Sequence, residues 1–256
     1  MMKNTLTIAG RELGSFFNSP VFYVVTTVFL LLYSFIFFQI LSFFSIQSFQ
    51  ASQLQAVGGG VNLNEMVIEP SFHNMAVILL LIIPIITMRS FAEEKKSKTI
   101  TLLLSSPIHL REIIFGKFLA CLTVVAVMIL LSSYSILFLL VVGQPEPGPV
   151  LSGYLGLLLM AGCYVAFGLF ASTLTDNQII AAVISFGFML FMWVIGWSAQ
   201  TAGSAGGKIL EHLSLIDHLE RFLKGIIDSS DVVYYLSFIV FSLFLTHRVL
   251  DSNRWR

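Results

Sequence analysis

Charge is what this chain has least of. Only 11% of its 256 residues are Asp, Glu, Lys or Arg, against roughly 25% in ordinary globular domains. A soluble fold so depleted would expose apolar surface that it could not cover. Fourteen basic residues balance fourteen acidic ones, so no net charge draws the chain to nucleic acid. Cysteine is scarce too: Cys121 and Cys163 both fall in apolar stretches. A free Cys there behaves as a small hydrophobe, and neither a disulfide framework nor a metal site is implied. A P-loop is also missing. ATP hydrolysis of that type needs G-x-x-x-x-G-K-[ST], whose backbone N–H groups hold phosphate. The nearest string, Gly203 to Ile209, lacks both the spacing and the hydroxyl. No catalytic residue, cofactor site or metal site is expected in this chain.

What is present is long apolar runs. No Asp, Glu, Lys or Arg occurs in residues 13–64, 70–88, 118–145, 147–175, 177–207 or 232–247. A bilayer core takes about 20 mostly apolar residues in a helix, so each run holds one span. The expected fold class is all-α integral membrane, a single transmembrane domain over 1–256. Its spans are placed at roughly 21–43, 73–88, 115–142, 151–174, 178–199 and 232–249. Pro84 should kink the second. Residues 44–72 read as a polar external loop, and 144–149, with three prolines, as a tight turn.

Before the first span, residues 1–20 mix Lys3, Arg11 and Glu12 with an apolar face of Ala9, Leu13, Phe16 and Phe17. This spacing predicts an interfacial helix. Asn18-Ser19-Pro20 should end it and begin the next. Eleven of the fourteen Lys and Arg residues fall on the side of the termini and the 89–114 loop. The positive-inside rule then makes that side cytoplasmic. Ile209, Leu213, Ile216, Leu219, Leu223 and Ile226 recur at helical spacing, which predicts an amphipathic external helix before the sixth span. His212 and His218 are read as part of its polar face. Glu65, Glu69 and His73 stand at the outer mouth of the second span as candidate gate residues. Gly162/Ala166 and Gly168/Ser172 are small pairs suited to close helix packing.

The most informative segment is 88–117. Ser90 and Glu93 have capping-box spacing. Glu93 and Glu94 precede Lys95, Lys96 and Lys98, with Glu94 and Lys98 as an i,i+4 pair. The run 102–104 is three leucines, and Ser106-Pro107 stops it. A rigid helix over 92–104 is expected, about 20 Å long. Joining two spans needs less than this, so it reads as a docking element for another protein. A solvated connector is the competing reading.

Phe91-Ala92-Glu93-Glu94, Thr99, Leu102-Leu103-Leu104-Ser105-Ser106-Pro107 and Gly116-Lys117 resemble the hallmark of ABC-2 type permeases. The stretch 84–107, with 168–178, is most similar to the gliding-motility-associated ABC permease subunits. Lys98 departs from the pattern, which has Gly before Thr99. The resemblance implies a bacterial inner-membrane, multi-pass permease subunit with both termini cytoplasmic, in an exporter class of ATP-driven transporter. It implies a separate ABC ATPase subunit that carries ATP and Mg and docks on 92–104. It further implies a second permease chain, identical or not, and an auxiliary protein with a large external domain. The other functions weighed are a non-transporting mechanotransmission scaffold and an intramembrane protease using Glu93 and Glu94. The protease reading lacks a His in any span interior. Spans almost free of ionisable groups also speak against an ion-coupled carrier.

Overall fold

The structure is a computed structural model and describes residues 2–53, 62–99, 108–143, 145–201 and 212–253. Among them every element is helical and none is a strand. Six helical segments are long and apolar enough to cross a bilayer. Leu31, Phe35 and Phe38 on the first and Val240 and Phe241 on the last are exposed. Such surface is stable against lipid and costly against water.

Helix α1 (Met2–Asn18) ends where expected, and Pro20 opens α2 (Pro20–Gln53). The inward face of α1 is Ile8 and Ala9, with Leu13 and Phe16 partly buried, while Phe17 faces outward. A π-helical turn (Asn64–Ile68) runs into α3 (Glu69–Thr87), and after Met88 alone comes α4 (Arg89–Lys96). The third span is two pieces, α5 (Leu110–Leu131) and α6 (Tyr134–Val142). Then follow α7 (Pro147–Leu174), α8 (Gln178–Thr201), the short α9 (Leu215–Leu223) and α10 (Ser229–Asn253).

Helices α3 and α7 form the centre. Phe72, Met75, Leu79 and Ile83 of α3 and Leu157, Met160, Tyr164 and Leu169 of α7 are all buried. Helix α7 touches α3, α4, α5, α8, α9 and α10. Its small residues allow this, as the Gly168/Ser172 spacing suggests. A Cβ on Gly168 would collide with Thr87 Oγ1 of α3. Dispersion contacts between close backbones, rather than water expulsion, drive such packing in lipid.

Four boundaries differ from expectation. Helix α2 continues to Gln53 through residues read as loop. Its 34 residues make a rod of about 50 Å, longer than the ~30 Å hydrocarbon core. Ser42 bonds back to Phe38 O at 2.8 Å, and Ser45 and Ser48 to the carbonyls of Ser42 and Ser45 at 2.8 and 3.2 Å, so the two hydroxyls that read as loop are satisfied inside the helix. The second span begins early, at the π turn, and passes Pro84 without ending. The third breaks at Ser132-Ser133, where Ser132 Oγ donates to Ile129 O at 2.6 Å and Ser135 Oγ accepts or donates to Tyr33 at 2.7 Å. The external helix is shorter than its apolar pattern, since Leu213 and Ile226 are exposed; Ile209 lies outside the described residues.

Candidate functional site

The segment expected to be a separate docking rod is built differently. Met88 keeps helical angles and its N–H donates to Pro84 O at 2.9 Å. Helix α4 is therefore an extension of α3, with no fresh N-terminus for Ser90 and Glu93 to cap. Ser90 is buried beside Cys121 Sγ at 3.5 Å. The capping box forms instead at α5, where Glu112 Oε2 accepts from His109 N–H at 3.3 Å.

Helix α4 also stops early, at Lys96. Ser97 N–H bonds Glu93 O at 2.9 Å and Lys98 N–H bonds Lys95 O at 3.1 Å. Lys98 has φ of 58°, the left-handed region that Gly enters without cost. A continuous helix over 92–104 is thus ruled out by the turn at 97–99.

The expected docking residues divide into three groups. Phe91 and Ala92 are fully buried core. Glu94 and Lys95 are held within the chain. Glu93, Lys98 and Thr99 are exposed, as is Lys96. Leu102, Leu103, Leu104 and Pro107 lie outside the described residues.

Glu94 turns to Lys117, about two turns into α5, and not along its own helix as the i,i+4 reading had it. Lys117 Nζ donates to Glu94 Oε1 at 2.8 Å and to Glu12 Oε1 of α1 at 3.0 Å. Its side chain is 2% exposed. The Phe91 ring lies 5.2 Å below the ammonium, a favourable cation–π placement. A buried ammonium is tolerable only when paired, and these two carboxylates supply the charge, with the Phe91 ring facing it as well. Next to it, Gly116 lets α1 lie close on α5: a Cβ there would meet Ile8 Cγ2 at 2.8 Å. Asn4 Nδ2 adds a bond to Glu112 Oε2 at 3.2 Å. One cation therefore joins the surface helix, the end of span two and the start of span three.

Lys95 reaches the other way and donates to Thr173 O at 2.5 Å. The last carbonyls of a helix carry negative partial charge, and Thr173 is in the last turn of α7. Past it, Asn177 Oδ1 accepts from Ile179 N–H at 2.9 Å and caps α8. With Thr87 against Gly168, the two sequence stretches 84–99 and 168–178 pack on each other.

At the opposite end, α9 is strapped to α10. Ser214 Oγ accepts from Asp217 N–H at 3.3 Å as its N-cap. His218 is 3% exposed, not on a solvated polar face as expected. Its Nδ1 lies 2.6 Å from Asp231 Oδ1 and its Nε2 3.2 Å from His212 O, with Tyr234 stacked at 4.1 Å. Asp231 is fully buried and also meets Arg221 at 3.4 Å. A carboxylate thirteen residues away pulls the ring inward, which helical periodicity alone does not register. Glu65, Glu69 and His73 occupy the π turn and the first turns of α3. Glu65 is exposed, and Glu69 has Lys224, beyond α9, as its main attractive neighbour.

The family model for ABC-2 family transporter proteins matches residues 6–246. The chain belongs to the ABC-2 transporter family. No curated protein matches it in sequence. The match takes in most of α1, the six spans as far as residue 246, the Lys117 cluster and the α9 strap. Membership makes the chain a multi-pass membrane subunit of permease type, and it implies an ABC ATPase partner.

Proposed function

We propose that this chain is the permease subunit of an ATP-driven ABC-2 exporter, moved by a separate ATPase that docks on the α4 end. The whole chain acts as one transmembrane domain. The observation that carries the reading is the Lys117 cluster, which ties α4 to α1 and α5 with bonds of 2.8 and 3.0 Å. A push on α4 is then a push on three elements. Glu93, Lys96, Lys98 and Thr99 present the exposed contact surface, and the leucines at 102–104 would complete it. The Lys and Arg asymmetry supports a cytoplasmic α4 end and cytoplasmic termini in a bacterial inner membrane. The opposite end, with Glu65, His73 and Glu69, the last interacting with Lys224, is the candidate outer gate. A second permease chain and an external auxiliary protein fit the resemblance to gliding-motility-associated permeases.

The test is co-reconstitution of the chain with its ATPase in proteoliposomes. Lys96→Glu and Leu103→Asp should break ATPase capture while melting as wild type. Full capture and full ATP-driven activity in both variants would refute docking here. ATP-driven shape change without any substrate movement would favour the mechanotransmission scaffold over the exporter. Maleimide labelling of a Cys at Lys96 from the outside of intact cells would refute the orientation.

A further inference from the structure

Beside the Lys117 cluster lies a cavity of about 510 Å³ between α1, α2, the α3–α4 junction and α5. Ligand cavities run from roughly 300 to 1,000 Å³. One part of its wall is apolar, with Phe22, Val25 and Ile85. The other part carries Arg89, Glu93 and Glu94. The internal pairs leave a defined remainder. Lys117 is satisfied by Glu12 and Glu94, and Arg11 lies 3.4 Å from Glu12. Arg89 and Glu93 have no side-chain hydrogen bond or ion pair among the described residues. Two atoms of the wall are buried without a hydrogen-bond partner: Arg89 Nε, a donor, and Glu94 Oε2, an acceptor. Such atoms cost free energy until something pairs with them.

We infer that this cavity binds the headgroup of a zwitterionic amino-phospholipid of the surrounding leaflet. Its phosphodiester accepts from Arg89, a planar fork suited to phosphate. Its primary ammonium donates to Glu94 Oε2 and Glu93. The upper acyl chain lies along Phe22, Val25 and Ile85. A quaternary ammonium has no proton to give Glu94 Oε2, and an anionic glycerol headgroup offers the acids hydroxyl donors but no positive charge. The amphipathic α1 and the Pro20 start of α2 place the charged part of the wall at the membrane boundary. This reading needs no ATPase and shares only Glu93 with the proposed docking surface; its test variants, at Arg89 and Val25, lie outside that surface, so the two readings fail separately. It assigns α1 a ligand as well as a contact, so that the lipid wedges between the surface helix and the α4 extension.

The experiment is native mass spectrometry of the purified, delipidated full chain, titrated with phosphatidylethanolamine, phosphatidylcholine and phosphatidylglycerol of the same acyl chains. Phosphatidylethanolamine should bind about tenfold more tightly than the others, and Arg89→Gln should remove that preference. Val25→Trp, which fills the apolar part without touching a charge, should weaken binding of phosphatidylethanolamine while leaving the melting temperature near wild type. This second variant decides the matter if Arg89→Gln fails to fold. Equal binding of the three lipids, or a preference that survives both variants, overturns the inference. Soluble glycerophosphoethanolamine binding as tightly as the lipid would assign the cavity to a free polar ligand instead and overturn the lipid occupant.

Discussion

Lys117→Met removes the cation and keeps most of the side chain's length. Glu12 and Glu94 then face each other with no ammonium between them, and Phe91 loses its charge partner. Breaking a buried pair by deleting one member costs about 3–5 kcal/mol. The two carboxylates are 18% and 19% exposed, so water screens part of the loss and the lower end applies. About 3 kcal/mol in a chain of this size lowers the apparent melting temperature by roughly 6–12 °C. The control is the triple variant Glu12→Gln, Glu94→Gln, Lys117→Met, which removes all three charges. It should recover most of the loss, because a neutral cluster of similar volume owes no charge desolvation. Fluorimetric melting of the detergent-purified protein reads both. A single variant that melts within about 1 °C of wild type would refute the cluster as a clamp. A triple variant as unstable as the single would show that packing, not charge, holds these elements together.

Lys98→Gly should raise stability by about 1 kcal/mol, since a non-Gly residue pays that much for left-handed angles; unchanged melting would place the turn in another conformation. Gly168→Ala should cost about 1–3 kcal/mol by overpacking against Thr87, whereas Gly187→Ala, with open space around it, should be neutral or slightly stabilising. Asp231→Asn should loosen α9 from α10. It is read as faster hydrogen exchange at 215–223, with exchange in α3 unchanged.

The legible parts of this fold are those written in local sequence. Charge-free runs mark the spans because a bilayer excludes charge wherever it falls. Asn18-Ser19-Pro20 marks the α1–α2 break because Pro fixes its own angles. The small residues of α7 mark the central helix. The illegible parts depend on partners far along the chain. Glu12 and Lys117 are 105 residues apart, and no periodicity shows that one neutralises the other. Phe91 and Ala92 read as docking residues and are core, because the pattern that identifies a segment does not say which of its side chains face inward. Serines at 45 and 48 read as loop because their polarity is visible and their back-bonds are not. The π turn and the Ser132 break are likewise set by packing rather than propensity.

The placement of the charges bears on how a nucleotide-driven push could travel. A helix that merely touched the spans would slide over them, because contacts between apolar side chains in lipid have little directional resistance. Helix α4 does not merely touch: it is continuous with α3 through Met88, clamped to α1 and α5 through Lys117, and tied to the end of α7 through Lys95. Charge-assisted bonds of 2.5–3.0 Å are directional, and a small displacement breaks them. Four elements on one short helix then move together or separate at these bonds. If force enters at α4, the axial path through α3 leads directly to Glu69 and the candidate outer gate. On that reasoning, releasing Lys95 by Lys95→Met should leave ATPase capture intact and weaken the response of α7 and α8, because the contact surface stays and one of the ties is gone. Site-specific distance measurements between α4 and α8, with and without ATP, would read this. An unchanged ATP-dependent distance in that variant would remove Lys95 from the path.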